Sequence, residues 1–348
     1  MKIHILYPFT AGPWGGANQF LKAIRDYFIK IGVYVEDENE ADIILFNASP
    51  MALYSFLDRV YLLKKNNPNL LVINRIDGPV YYIRDKDIEV DKAFYYFNEI
   101  VCDGTIFQSS WSKKFNIKLG MKTNQFETTI LNAPNKELFN YDSSKKEIFV
   151  NSSRKINLIA SSWSSNWKKG FDIYQWLDHN LDFNKYQFTF IGNTPIPFKN
   201  IIHKPPMNSK ELASELKCSD IFITASQKDP CSNSLIEALH CGVVSIGLND
   251  GGHPEIIAKG GEIFNNKEDL PALFNKITLD YEKYQKNITL FDINVTGELY
   301  LKFLESIFLE KEKYRYRPKI FHKMAFFKLK WMLFLWKVKE SIFVRLKK

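Results

Sequence analysis

The chain has 348 residues, 45% hydrophobic and 15% aromatic, enough for two domains that each bury their own core. Its net charge of +8 is unevenly placed: residues 311–348 hold thirteen Lys or Arg against Glu312 and Glu340, a net of +11, which leaves −3 for residues 1–310. A mildly acidic body argues against a nucleic-acid partner, and the basic tail argues for a localised anionic one.

The four cysteines show no C-x-x-C pair or metal-ligand spacing, and the opening residues run into a strand pattern without an apolar leader. A reduced, cytosolic chain with no metal site is expected.

In the first half, short apolar runs alternate with amphipathic stretches, the pattern of a doubly wound parallel sheet. Strands are predicted at residues 3–7, 41–46, 70–76, 104–108 and 128–131, and helices at 17–31, 51–65 and 110–119. Pro13-Trp14-Gly15-Gly16 joins the first strand to the first helix. Gly15 and Gly16 would let the backbone approach a ligand, and the helix terminus favours an anion; a plain strand–helix turn is the alternative. Asn74-Arg75-Ile76-Asp77-Gly78-Pro79 closes the third strand, where Arg75 and Asp77 either meet a ligand or brace the turn as an ion pair.

Asn132-Ala133-Pro134 breaks the pattern, and the polar stretch 142–155 reads as a connection between domains. A second alternating series follows, with strands at 157–161, 187–191, 201–203, 220–225 and 243–248. Helices are predicted at 170–181, at 209–217 and after Ser232, with short ones after Pro254 and Lys267. The expected division is 1–145, 146–295, a helix at 296–315 returning to the first domain, and a tail at 316–348.

The most informative stretch is DPCSNSLIEALHCGVVSIGLNDGGHPE, residues 229–255. Asp229 follows a predicted strand, where an open α/β sheet binds its ligands. The next helix offers unpaired N–H groups near Ser232, Asn233 and Ser234, suited to phosphate oxygens. Glu237, about one turn on, is placed to accept hydrogen bonds from sugar hydroxyls attached to that phosphate; alternatively it forms a capping box with Ser234. The order of parts suits a nucleotide-sugar diphosphate.

This stretch resembles the donor site of retaining glycosyltransferases with the GT-B fold, glycosyltransferase family 4. Their pattern of an acid, seven residues, Glu-Ala, a small-residue-Gly turn, a Val-Ile strand and Gly-Gly-x-x-Glu is matched by Asp229, Glu237-Ala238, Cys241-Gly242, Val243-Val244 and Gly251-Gly252-His253-Pro254-Glu255. The first acid is Asp rather than the family's Glu. Residues 163–170, WSSNWKKG, are similar to the family's phosphate-binding loop. Lys169 stands for the Lys of its Lys-Gly pair, and its Arg is replaced near Trp163 or Ser164. Gly192 and Pro206 match weaker family positions, Pro206 near where the nucleobase rests.

The resemblance covers about residues 1–312. It implies two Rossmann-like doubly wound domains facing a cleft, and a retaining, metal-independent glycosyltransferase with no cofactor beyond its nucleotide-sugar substrate. It assigns catalysis to Asp229, Lys169 and Asp77. Donor binding goes to Glu237, Gly15, Gly16, Ser232, Asn233, Ser234, Trp163, Gly192 and Pro206, and the acceptor side to Arg75 and Asp77. A sugar-nucleotide epimerase of the same fold and a non-catalytic glycan- or membrane-binding protein remain alternatives.

In the tail, Ile320, Met324, Phe327, Trp331, Phe334, Leu335, Val338 and Ile342 share a helical face by three- and four-residue spacing, flanked by lysines. Its charge-free centre is too short to span a bilayer, which takes about 20 apolar residues. The pattern suits a helix lying in an anionic membrane interface through Lys323, Lys330, Trp331, Phe334, Trp336 and Lys337. Packing on the body or on another subunit is the alternative. A lipid-linked or cell-envelope glycan acceptor and a cytoplasmic, peripheral location at the inner face of a membrane follow from the first reading.

Overall fold

Runs of branched and aromatic residues in the first part of the chain build a five-stranded parallel sheet. Its strands are β1 (Ile3–Leu6), β2 (Ile43–Ala48), β3 (Leu71–Ile76), β4 (Gly104–Phe107) and β5 (Phe126–Thr129), in the order β1-β2-β3-β4-β5. Ile3 pairs with Ile43 on one side and bridges to Tyr34 on the other, so the chain leaves β1 in one direction and returns to build in the other. Every residue of β1 and β3 is buried, because helices cover both faces. These helices are α1 (Gly16–Lys30), α2 (Pro50–Asn66), α3 (Val80–Arg84), α4 (Ile88–Ile100) and α5 (Ser110–Lys118). Ser49 and Ser109 cap α2 and α5 by accepting from Ala52 N and Ser112 N.

A computed structural model describes residues 1–10, 16–141 and 154–346. Pro13, Trp14, Gly15 and most of the 142–155 connection lie outside the described residues. The chain divides into two compact units: Met1–Phe9, Ile24–Leu131 and Thr296–Lys348 form the first, Thr10–Ala23 and Asn132–Val295 the second.

The second unit holds a six-stranded parallel sheet in the order β11-β10-β9-β6-β7-β8. Its strands are β6 (Ile156–Ser162), β7 (Tyr186–Gly192), β8 (Ile202–Lys204), β9 (Ile221–Thr224), β10 (Val244–Leu248) and β11 (Gly261–Phe264). Its helices are α6 (Phe171–Asn180), α7 (Ser209–Lys217), α8 (Asn233–His240), α9 (His253–Ile257), α10 (Leu270–Leu279) and α11 (Tyr281–Lys286). From β6 the chain builds outward through β7 and β8, then returns to lay β9, β10 and β11 on the other side. The strand order therefore reverses between β6 and β9. Both units are parallel-sheet, Rossmann-like domains, as the sequence pattern led us to expect.

Four elements escaped the sequence reading, the short helix α11 among them. The helix α4 is apolar on most sides, so its buried Val90, Ala93, Phe94, Tyr95 and Phe97 show no clear single stripe. The short helix α3 has no capping side chain at its own N-terminus; instead Asp91 of α4 accepts from Val80 N and Tyr81 N, each at 2.8 Å. The edge strand β11 is four residues long and opens on Gly261.

The chain ends in α12 (Ile293–Glu312) and α13 (Lys323–Leu346). Phe326, Leu329, Leu333 and Trp336 of α13, with Phe321 ahead of it, enter the apolar core of the first unit. The Phe326 ring stacks on Tyr61 of α2 at 4.3 Å. Buried Asp103 anchors the segment ahead of α13, accepting from Tyr316 Oη at 2.9 Å and Lys319 N at 2.7 Å while also receiving Lys64 Nζ at 3.1 Å and Val72 N at 2.8 Å.

The placement of Trp336 corrects the sequence expectation. It is 3% exposed and belongs to the core, whereas Trp331 on the opposite side is 61% exposed. The tail is apolar on two faces, and spacing alone does not say which of them the body covers. The expected stripe of Met324, Phe327, Trp331, Phe334, Leu335 and Val338 faces outward; the Ile342 side chain lies outside the described ones. Among the described residues no helix is long and apolar enough to cross a membrane.

Candidate functional site

The reversal between β6 and β9 leaves a crevice at the carboxyl ends of these strands, the position where open α/β sheets bind ligands. A pocket of about 280 Å³ lies there. Ser161, Ser162, Trp163 and Ser164 line it from the end of β6, Ser226 and Asp229 from the end of β9, and Ser232, Asn233, Ser234 and Glu237 from α8. Lys169, Gly192 and Pro206 complete the sequence-derived set, together with Gly16, whose segment groups with this unit.

Lys169 arrives on a tight turn. Trp167–Lys169 forms a single 3-10 turn that ends at Gly170, with φ of +90°. A Cβ at Gly170 would lie 2.3 Å from Ala225 Cβ and 2.6 Å from its carbonyl oxygen. Only glycine combines that left-handed backbone with so close an approach to the end of β9. The approach brings Lys169 Nζ within 2.9 Å of Asp229 Oδ2.

Asp229 is itself tied down from both sides. Its Oδ1 accepts from Cys231 N at 3.3 Å, and its carbonyl accepts from Gly252 N at 2.9 Å. Gly251, with φ of +63°, would place a Cβ 2.1 Å from the Asp229 carbonyl oxygen, which gives the Gly-Gly turn its physical reason. Burial pushes the Asp229 carboxyl up, but the neighbouring Lys169 and His253 outweigh it and hold it below the usual carboxylate range. His253 is fully buried, does not line the pocket, and directs Nδ1 at the Leu248 carbonyl, 3.1 Å away. Burial holds it below the ordinary histidine range.

Glu237 has the opposite character. The capping box with Ser234 does not form: the cap position is Ser232, which makes no side-chain cap bond, and Ser234 lies inside the helix. Among the described residues the Glu237 carboxylate makes no hydrogen bond or ion pair, and burial alone pushes it up to about 8. Among the described residues, the eight-residue α8 thus presents unpaired N–H groups of its first turn and an unpartnered acid to one pocket. The arrangement can bind phosphate oxygens at the helix terminus and hydroxyl donors at Glu237.

Seven of the described residues lining the pocket are serines, among them Ser161, Ser162, Ser209 and Ser226, which the sequence reading did not single out. Met207 and Leu212 were missed as well. No motif marks them; their common signal is a position at or just past a strand end or at a helix start.

Arg75 and Asp77 lie in the first unit, at the carboxyl end of β3. Arg75 is fully buried and spends its guanidinium on Asn47 and, at 3.1 Å, on Asp77 Oδ1. It has no surface to offer an acceptor in this conformation, which corrects its assignment as an acceptor contact. Asp77 keeps a third of its side chain exposed and also accepts from Gln108 Nε2. Its carbonyl is held by Ser112 Oγ and Asn116 Nδ2, each at 2.9 Å. Among the described residues no three His, Cys, Asp or Glu side chains gather closely enough to hold a metal ion.

Residues 198–289 match the family model described as glycosyl transferases group 1. A comparison with curated proteins finds no match. Among solved structures, HepE from Anabaena in complex with UDP-glucose is similar over 88% of this chain and 100% of its own, with a TM-score of 0.68 at 14% identity. Sucrose-phosphate synthase from Thermosynechococcus elongatus is similar over 89% and 100%, with a TM-score of 0.69 at 12% identity. The lipopolysaccharide outer core galactosyltransferase WaaB is similar over 88% and 99%, with a TM-score of 0.59 at 13% identity. The fold is that of GT-B glycosyltransferases. With the family match over much of the second unit, it supports a nucleotide-sugar glycosyltransferase.

Proposed function

We propose that the protein is a retaining glycosyltransferase that moves a sugar from a nucleotide-sugar donor to a lipid-linked or cell-envelope glycan acceptor, working peripherally at the inner face of a membrane. The observation that carries the donor reading is the pocket at the β6–β9 reversal, where the open end of α8, the unpartnered Glu237 and the Lys169–Asp229 pair meet. The diphosphate would lie against the α8 N–H groups, Lys169 and the serine hydroxyls, with ribose hydroxyls on Glu237. A UDP-sugar is the first donor class to test, since HepE binds one.

In the reaction the bond from the anomeric carbon to the diphosphate oxygen breaks as the acceptor oxygen bonds on the same face. The acceptor's proton passes to the leaving diphosphate, so neither a protein nucleophile nor a resident metal is required. Lys169 would stabilise the charge growing on the diphosphate. Asp229 would hold Lys169 in place and meet the donor sugar's hydroxyls. Asp77 would receive an acceptor hydroxyl, with buried Arg75 orienting its carboxylate through Oδ1.

Thermal stabilisation by a panel of sugar nucleotides, followed by turnover with and without glycan acceptors, tests the reading. Stabilisation plus acceptor-dependent release of nucleoside diphosphate is the expected result. Conversion of the sugar nucleotide without acceptor would mark an epimerase instead, and binding without any turnover a non-catalytic protein.

A further inference from the structure

The helix α13 has two apolar faces, and the fold uses only one of them. Leu329, Leu333 and Trp336 fill the core of the first unit. On the opposite side Met324 is 86% exposed, and Phe327, Trp331 and Phe334 are all more than half exposed, with the Trp331 and Phe334 rings stacked 5.8 Å apart. Between this face and α2 runs a groove of about 490 Å³, lined by Tyr54, Leu57, Phe327, Trp331, Leu333 and Phe334 and by the Asp58–Lys330 ion pair. So much contiguous aromatic surface on one helix marks an interaction site.

Charge identifies what covers it. Lys323, Lys328 and Lys337 border the face and have no carboxylate partner among the described residues; they lie over the rings of Phe327, Tyr96 and Tyr54 at 5.8, 4.2 and 3.9 Å. Lys330 and Lys339 are neutralised by Asp58 and Glu89. The whole segment from residue 311 still carries a net of +11 on an otherwise slightly acidic chain. Two copies apposed through this face would bring like charges together, whereas an anionic surface meets both the lysines and the rings.

We infer that the outer face of α13, with Tyr54 of α2, is a preformed docking surface for an anionic lipid bilayer. Phe327, Trp331 and Phe334 enter the acyl boundary, and Lys323, Lys328 and Lys337 sit among the phosphates. This rests on the membrane part of the proposed function and adds a specific consequence. Because the inner face is locked into the core, the helix does not fold on contact with lipid; it arrives already formed.

The test uses the full-length protein with vesicles of neutral phosphatidylcholine, with and without 30% (~one third) anionic lipid, in the range where each phosphate-facing Lys is worth roughly fivefold in partition. Wild type should bind the anionic vesicles with no gain in helical circular dichroism, and brominated acyl chains should quench a fluorescence component that Trp331→Phe removes. The triple change Lys323→Ala, Lys328→Ala and Lys337→Ala should lower partition on the order of a hundredfold. Trp331→Ser with Phe334→Ser should abolish binding at an unchanged melting temperature. Absence of binding by wild type, binding indifferent to these changes, or a large gain in helicity with lipid would each overturn the proposal. So would a lipid-independent dimer that the Trp331 and Phe334 changes dissolve, which would make the face an interface between copies. Donor-induced thermal stabilisation, measured on the same samples without vesicles, reports on the glycosyltransferase reading separately.

Discussion

Lys169 Nζ stands 2.9 Å from Asp229 Oδ2, joining a loop after β6 to a loop after β9 across the point where the sheet reverses. The two residues are 60 positions apart in sequence, and the left-handed Gly170 makes their meeting possible. An entering diphosphate would share this ammonium with Asp229, so the pair holds the cation ready and oriented before the donor arrives.

Lys169→Ala should therefore lower kcat by about 10²- to 10³-fold, the scale of removing one preorganised charge stabiliser, with a smaller loss of donor affinity. Steady-state kinetics on a soluble acceptor measure both. A raised KM at unchanged kcat would show that Lys169 binds ground state and transition state equally.

For Glu237 the sign of the pH effect can be worked out. Its folded value, about 8, lies above the ordinary 4.5, so the stability associated with its proton is fully present below about pH 4.5 and is lost as pH rises through about 8. Glu237→Gln cannot ionise, so its melting temperature should gain on wild type as pH increases across that window. The same change should weaken donor binding by about 1.5–3 kcal/mol, because a carboxylate accepts hydroxyl hydrogen bonds more strongly than an amide. Donor binding near pH 7 should also release a proton from Glu237. Calorimetry in buffers of differing ionisation enthalpy detects it, and a buffer-independent heat would count against the ribose role.

Gly170→Ala should destabilise the second unit by more than the roughly 1–2 kcal/mol of a left-handed alanine, since its Cβ also meets Ala225 at 2.3 Å. Denaturant unfolding gives the stability. Donor binding should fall with it even where the variant stays folded, because Lys169 moves with the turn.

The two faces of α13 predict opposite mutational behaviour. Leu333→Ala, in the core of the first unit, should cost about 2–5 kcal/mol, while Phe334→Ala next to it should stay within about 0.5 kcal/mol. Removal of residues 319–348 should unfold the first unit rather than trim an appendage, because Lys319 N and Phe321 leave Asp103 and the core open. Circular dichroism melts of the truncated chain decide this.

What the amino-acid sequence determined by itself is what depends on neighbours a few residues away. Alternation of apolar runs specified most strands of both sheets, as in Ile43–Ala48 and Val244–Leu248, and the local motif from Asp229 to Glu237 supplies residues that line one pocket. Tertiary structure alone decided the rest. Which of two apolar faces of α13 is buried depends on α2 and α4, and this moved Trp336 into the core and left Trp331 outside. Whether Glu237 caps a helix or stands unpartnered depended on where α8 begins, and Ser232 rather than Ser234 took the cap position. Arg75 became an internal brace because Asn47 of a neighbouring strand reached its guanidinium. The serines of the pocket come from several separate elements and converge only when the sheet reverses between β6 and β9. Periodicity reports which side chains share a face; only long-range packing chooses what that face meets, and so which charges are desolvated and which are paired.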